Sequence, residues 1–410
     1  MGSEMTDASR SQALPVVVLK SGRDKSVRAR HPRLFAGAIK QIDGRPKDGS
    51  IVDVCTNSGE WLARGVINQQ AQTAVRLLTW EQNEVVDESF WKHRVQQAIQ
   101  RRQHDPLLKN TDAQRLIFSE SDGLPGVIAD NYAGHIVMQL STLAALNARA
   151  ALQDALIEVV SPRSIEEHAD EERMRFEHVH ASAPISALHG VAPAENVEIV
   201  ENGLRFAVDL AKGQKTGFYL DQRENRARLA RYCAGITVLN EFAYTASFGV
   251  VAATAGATRV VNVDSSAEAL RVGELNARLL GPTETELQFV ASDAFVDLRT
   301  RRAAGEQYDL VILDPPKFAH SPEQVERAAR AYKDLNRIGL LLVRPGGLLA
   351  TFSCSGVVDA ALFQKVIFSA AVEARRDVQI VERFTQASDH PVLVTFPEAE
   401  YLKGLLCRIL

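Results

Sequence analysis

The strongest constraint on the fold is the strand–helix rhythm that sets in after Gly235. Five short apolar runs, Thr237–Phe242, Val260–Asp264, Leu287–Val290, Asp309–Leu313 and Leu348–Ser353, are separated by stretches of helical periodicity. Runs that are apolar throughout belong to strands covered on both faces, and repetition of strand, helix and strand builds a parallel sheet with crossovers. Residues 197–410 are therefore expected to form a doubly wound α/β domain. Ligands of such sheets sit at the carboxyl ends of the strands, near the switch in strand order. The residues that close each run are the ones to examine.

A chain of 410 residues exceeds one ordinary core, so further modules must precede this domain. Between Val16 and Leu78, β-type runs (Val16–Lys20, Ser50–Cys55, Trp61–Ile67, Thr73–Leu78) alternate with Gly, Asp and Asn turns, which predicts a small β-rich barrel-like domain over 14–82. A basic helix over Ser89–His104 is expected to link modules. Strands Leu116–Phe118, Gly126–Asp130 and His135–Leu140 and a helix over Leu143–Val160 predict a central α+β domain over 83–196. The charge-dense Ser164–His180 and the unpatterned Pro184–Asn196 place the next boundary.

The net charge of −4 argues against a surface basic throughout, but Leu14–Trp80 holds eleven Lys/Arg against five Asp/Glu. A locally basic module on a neutral remainder is the footprint of one part that grips phosphate, or simply a solvated basic face. No run of about 18 apolar residues occurs, so no membrane span is expected. The polar start Met1–Gln12 lacks the apolar stretch of a secretory signal, and a cytoplasmic location is expected. Cys55, Cys233, Cys354 and Cys407 form no C-x-x-C pair, which fits a reduced compartment with no metal site.

The first strand runs into Asn240-Glu241-Phe242-Ala243-Tyr244-Thr245-Ala246-Ser247-Phe248, and the second ends at Asp264, on the order of 25 residues later. A carboxylate there accepts two hydrogen bonds from a ribose diol, unless it merely caps a helix. No G-x-G-x-x-G is present, which disfavours a dinucleotide and hence a dehydrogenase. Asp293, before Ala294, is placed to meet an adenine amino group or to cap a helix. The fourth strand ends in Asp314-Pro315-Pro316-Lys317-Phe318, where paired prolines force an extended backbone and present acceptors to a planar base.

The fifth strand delivers Cys354 to the same edge. Cytosine C5 is a poor nucleophile; methylating it needs a thiolate that adds to C6, makes C5 enamine-like and leaves once C5 loses its proton. Cys354 is the one cysteine so placed, whereas Cys55, Cys233 and Cys407 read as small core residues. Lys317 is positioned either to lower the thiol pKa or to meet a phosphate. His390, beside Asp389, could take the C5 proton, although a structural histidine is the stronger reading.

Together with Gly213-Gln214-Lys215-Thr216-Gly217-Phe218-Tyr219-Leu220-Asp221-Gln222-Arg223, Tyr332-Lys333-Asp334-Leu335-Asn336, Phe352-Ser353-Cys354-Ser355-Gly356 and Ser388-Asp389-His390-Pro391, these motifs resemble the RlmI-like 23S rRNA cytosine-C5 methyltransferases over nearly the whole chain. The resemblance implies an N-terminal PUA domain, a central RNA-binding domain and a Rossmann-like class I methyltransferase domain. It implies S-adenosyl-L-methionine as cofactor, with Gln222, Asn240, Phe242, Tyr244, Thr245, Asp264, Asp293, Ala294 and Asp314 holding it, and large-subunit rRNA as partner. Cys354, Asp314 and Lys317 are the expected catalytic residues; dimerisation is left open. The family usually carries Tyr-Thr-Gly-Gly-Phe where this chain has Tyr244-Thr245-Ala246-Ser247-Phe248, so its backbone is expected to approach the cofactor less freely. The alternatives are methylation of an exocyclic amine by the Asp-Pro-Pro loop, which would leave Cys354 idle, and a non-catalytic RNA-binding role.

Overall fold

The structure, a computed structural model, describes residues 14–179 and 186–410. The polar start from which a cytoplasmic location is expected lies outside them. No helix among the described residues is long and apolar enough to cross a membrane.

The first module is a six-stranded sheet of β1 (Val16–Leu19), β2 (Arg33–Phe35), β3 (Ile39–Asp43), β4 (Ile51–Cys55), β5 (Trp61–Ile67) and β6 (Thr73–Thr79), in the order β2-β6-β5-β4-β1-β3, with the short α1 (Lys25–Arg28). Alternate residues such as Val17, Leu19, Val52 and Val54 point inward to one core. Not all of its basic charge faces outward. Arg33 and Arg76 both bind the buried Glu120 of the central domain, at 2.7 and 2.5 Å, and Arg64 binds Asp53. Arg23, Lys25, Arg30, Arg45 and Lys47 remain exposed.

The basic helix is α2 (Glu88–Gln103), capped by Asp87, whose side chain accepts from Phe90 N. It is more than a linker: Phe90, Trp91, Val95, Ala98 and Ile99 pack into the central core with Leu116, Leu152 and Ile165. The central sheet runs β11-β10-β9-β8-β7, from β7 (Ala113–Phe118), β8 (Val127–Tyr132), β9 (His135–Leu140), β10 (Ser164–Glu167) and β11 (Ser186–Gly190). The single helix expected over Leu143–Val160 is two, α3 (Leu143–Asn147) and α4 (Arg149–Val160), and at the break Asn147 donates its amide to the Gly49 carbonyl of the first module. The charge-dense stretch holds β10 and α5 (Glu171–Phe176) rather than a bare boundary. A two-stranded hairpin, β12 (Val197–Glu201) and β13 (Leu204–Val208), turns at Asn202-Gly203, both left-handed.

The last sheet contains β14 (Thr237–Glu241), β15 (Arg259–Asp264), β16 (Glu286–Ala291), β17 (Tyr308–Leu313), β18 (Val343–Ser353), β19 (Val378–Thr385) and β20 (Lys403–Ile409). Its order is β16-β15-β14-β17-β18-β20-β19; the first five strands are parallel and β20 lies antiparallel between β18 and β19. Neighbouring residues serve opposite faces. Val238, Leu310, Ile312 and Ala350 pack with Leu229 of α6 (Arg223–Ala230) and Phe248 and Ala252 of α7 (Ser247–Thr254). Leu239, Val311, Leu313 and Leu349 pack with Leu298 of α9 (Ala294–Ala303), Leu335 of α10 (Val325–Leu342) and Phe363 of α11 (Ala360–Ala374). Helix α8 (Ala267–Leu280) covers β13 and β16. The chain builds outward from β14 to β16 and then returns to β17 on the other side, so the switch point lies between β14 and β17.

Candidate active site

Two groups of residues flank the carboxyl ends of the strands. On one side the β14 loop places Phe242, Tyr244 and Ala246 at φ +58°, +49° and +58° before α7 begins. Asp264 ties this loop down: one oxygen accepts from Tyr244 N and the other from Ser266 N, both at 2.8 Å. It does not cap α8, because Ser266 does so through Ala269 N. Each carboxylate oxygen retains a lone pair for a diol. Thr245 Oγ1 in the same loop is buried and has no partner.

Asn240 supports the loop from below. Its amide donates 2.9 Å to Asn262 Oδ1, and an added Cβ on Gly249 would lie 2.0 Å from that same oxygen. Asp293 is the N-cap of α9, accepting from Val296 N at 3.1 Å, with Ala294 buried behind it.

On the other side Asp314 and Cys354 come together from β17 and β18. The thiol Sγ lies 4.0 Å from the Pro315 carbonyl, and Ser355 Oγ accepts from Ala319 N, joining the two loops. Gln222 donates to Asp314 Oδ2 at 3.0 Å, its amide oriented by Asn225. Burial, then the charge of Asp221, pushes the Asp314 carboxyl up to about 7, against the opposing pull of Lys215 and Gln222. Burial likewise pushes the Cys354 thiol up to about 11; Lys215 is the foremost group opposing it, and Lys317 contributes less. Lys317 itself is exposed.

Lys215 and Asp221 stand in the Gly213–Arg223 motif, and their contacts appear only in the fold. Lys215 Nζ binds Asp221 Oδ2 at 2.5 Å, and the same oxygen accepts from Tyr401 OH at 2.6 Å. Lys403, buried on β20, donates to the carbonyls of Ser355 and Val358 and so fixes the turn that follows Cys354. No local pattern could announce these contacts, since Asp221 and Tyr401 lie far apart in the chain. His390 is structural: it is buried, its Nδ1 pairs with Asp389 at 2.8 Å, and its ring packs on Phe118. Among the other cysteines Cys233 and Cys407 are buried as expected, while Cys55 is only half-buried. No group of three or more His, Cys, Asp or Glu among the described residues is arranged to hold a metal.

A sheet of this strand order, with a carboxylate closing β15 beside the switch-point crevice, is that of a doubly wound domain able to seat a nucleoside at its strand ends. Residues 128–408 match the S-adenosylmethionine-dependent methyltransferase family, and residues 17–80 match the PUA-like domain. A methyltransferase solved with SAH superposes at TM-score 0.82 over 96% of this chain and 99% of that one, at 23% identity, a likeness of fold. The ribosomal RNA large subunit methyltransferase I of Shewanella denitrificans is 43% identical over 395 residues, 96% of this chain and 99% of the relative. That of Aliivibrio fischeri is 42% identical over 393 residues, with the same coverage. The chain belongs to the ribosomal RNA large subunit methyltransferase I family of S-adenosylmethionine-dependent enzymes.

The cofactor is S-adenosylmethionine, and the residues present fit it. Asp264 keeps lone pairs for the ribose hydroxyls, and the orphaned Thr245 hydroxyl sits in the loop that leads from β14 into α7.

Proposed function

We propose that the protein methylates C5 of a cytosine in large-subunit ribosomal RNA, with Cys354 as nucleophile. The observation that carries this reading is the placing of a thiol on the Asp-Pro-Pro loop at the switch-point edge of the sheet, with Sγ 4.0 Å from the carbonyl of Pro315, the residue that follows Asp314. The names of the relatives supply the RNA. A methyl transfer to an amine would have no use for the thiol.

The exposed lysines and arginines of the first module grip phosphates, and the target cytosine is flipped out of its stack into the crevice. Asp314, as carboxylate, takes the thiol proton and passes it to cytosine N3 as Cys354 Sγ bonds to C6. The proton leaves sulfur, N3 gains it, and C5 becomes an enamine carbon. S-adenosylmethionine, when bound at Asp264 and the Thr245 loop, supplies an electrophilic methyl group on a sulfonium. Loss of the C5 proton to solvent then expels the Cys354 thiolate, and the N3 proton returns through Asp314 to the sulfur, which restores the ring. Asp264, Thr245, Gln222, Asp293, Ala294 and the backbone around Phe242 and Tyr244 would hold the cofactor.

The test is to incubate the protein with labelled S-adenosylmethionine and unmodified large-subunit rRNA, digest the RNA and identify the labelled nucleoside by mass. Label in 5-methylcytidine is expected. Label in an N-methylated base would overturn the thiol chemistry in favour of the amine reaction, and cofactor binding with no label would favour a non-catalytic RNA-binding role.

A further inference from the structure

Bond formation at a carbon of a flipped base tolerates little error in where the attacking sulfur stands, so the residues that fix Cys354 matter as much as its chemistry. Strand β18 ends one residue before it, at Ser353, and a turn begins one residue after it, at Ser355. Both serines are fully buried, and both hydroxyls reach the same atom of α10. Ser353 Oγ donates to Tyr332 OH at 3.0 Å, and Tyr332 OH shares a hydrogen bond with Ser355 Oγ at 3.1 Å. The turn is closed from Val358 N to the Ser355 carbonyl at 3.0 Å, and Lys403 Nζ donates to the Ser355 and Val358 carbonyls at 2.7 and 2.6 Å. The backbone on each side of the thiol thus has its own anchor.

Tyr332 also holds the opposite loop. Its ring centroid lies 4.7 Å from that of Phe318, which ends the Asp314-Pro315-Pro316-Lys317-Phe318 loop, and 5.6 Å from that of Phe363 of α11. Ser355 Oγ accepts from Ala319 N at 3.3 Å, so the hydroxyl that Tyr332 engages is the one that fastens the chain just past Phe318. Buried hydroxyls satisfy one another in any core. What exceeds that requirement is their placement: they bracket a single residue, and its sulfur stands 4.0 Å from the Pro315 carbonyl.

We propose that Tyr332 is the positioning residue of the nucleophile: its hydroxyl grips the serines on either side of Cys354 while its ring braces Phe318, so that one side chain sets the spacing between the thiol and the Asp-Pro-Pro loop. The inference rests on Cys354 being the nucleophile.

Tyr332→Phe removes the hydroxyl and keeps the ring. Two rates are followed on the full-length protein: methyl transfer from S-adenosylmethionine to large-subunit rRNA, and alkylation of each cysteine by iodoacetamide at pH 8, resolved by mass spectrometry. A thiol released from its anchors leaves the geometry of attack and admits water, so the two rates are expected to move in opposite directions. Turnover, kcat, should fall by roughly 10- to 100-fold with KM for S-adenosylmethionine within about twofold. Alkylation at Cys354, whose pKa burial holds up at about 11, should quicken about threefold. Cys233 and Cys407, both buried, report general opening and should stay as protected as in the wild type. Ser355→Ala should reproduce the divergence, and adding it to Tyr332→Phe should cost kcat less than about threefold beyond the worse single variant, as for parts of one unit. Unchanged kcat in Tyr332→Phe, or a fall in kcat with alkylation at Cys354 unaltered, overturns the proposal. Faster alkylation of Cys233 and Cys407 as well makes Tyr332 an ordinary core residue and overturns it equally. Persistent turnover in Cys354→Ala would instead overturn the nucleophile, while the alkylation pattern of Tyr332→Phe would still report whether the hydroxyl holds Cys354 in place.

Discussion

The two sides of the crevice are built on different principles. The cofactor side is local: Asp264 closes one strand, its oxygens accept backbone N–H groups from the loops beside it, and Ser266 and Asp293 cap the helices that follow. The thiol side is assembled from segments far apart in the chain, with Lys215, Asp221, Asp314, Cys354, Tyr401 and Lys403 brought together by packing. Burial first, and the neighbouring charges second, push the pKa values of Asp314 and Cys354 above their ordinary ranges. Binding a nucleoside needs fixed donors and acceptors, which backbone geometry supplies cheaply. Activating a thiol needs tuned protonation, which only a shared desolvated environment provides.

The largest effect expected from that division is a clean separation of binding from chemistry. Cys354→Ala should lower turnover by on the order of 10⁴-fold or more while leaving S-adenosylmethionine affinity within about threefold. Turnover by labelled-methyl transfer and affinity by calorimetry check it. A parallel loss of both would mean that the two sides are not separable.

Asp314 supplies the next test. Its carboxylate form is the one that accepts the thiol proton, so wild-type kcat/KM should fall as pH drops through about 7, where burial and Asp221 have raised its pKa. Asp314→Asn should reduce kcat/KM by roughly 10²- to 10³-fold and abolish that limb. A limb that persists near 7 in the variant belongs to another group.

The same contrast explains what the chain discloses on inspection. Five strands of the last sheet are apolar runs, and Asp264, Asp314 and Cys354 follow or close three of them, so the α/β fold and the strand ends to examine could be read directly, whereas the half-polar β19 could not. Strand β10 could not: Ser164-Ile165-Glu166-Glu167 contains one apolar residue and owes its place to pairing with β9 and β11. The break between α3 and α4 involves Asn147 reaching another module, a contact with no local signature. Lys215 and Asp221 were in view, but what gives them meaning is Tyr401 and the cofactor loop, which only the folded chain brings near. The bond from Asn240 to Asn262 is likewise beyond the strand pattern, since strand-end position does not say which face a side chain serves.

Glu241 blurs the division, being a buried charge problem on the cofactor side. It ends β14, is fully buried, and burial together with Asp297 pushes its carboxyl up to about 10. Its folded pKa lies above its ordinary 4.5, so the stability tied to the protonated form is complete below about 4.5 and is lost as pH rises toward 10. Glu241→Gln keeps the shape without the ionisation. It should stabilise the protein by roughly 2 kcal/mol at pH 8.5 and by much less at pH 5, read from urea midpoints. Equal shifts at both pH values would show that Glu241 titrates as an ordinary carboxylate.

The smallest effect concerns the loop itself. Ala246 is fully buried in the left-handed region, where a β-carbon costs about 1 kcal/mol relative to glycine. The chain adopts the turn despite the side chain, and Asp264 secures Tyr244 within it. Replacing Ala246 by glycine relieves that strain but frees the unfolded chain by a comparable amount. The two nearly cancel, so Ala246→Gly should change stability by less than about 0.5 kcal/mol and cofactor affinity by less than about threefold. A tenfold gain in affinity would show that the Ala246 methyl group, rather than the backbone path, sets how closely the loop can approach the cofactor, and the cofactor side would then be as dependent on packing as the thiol side.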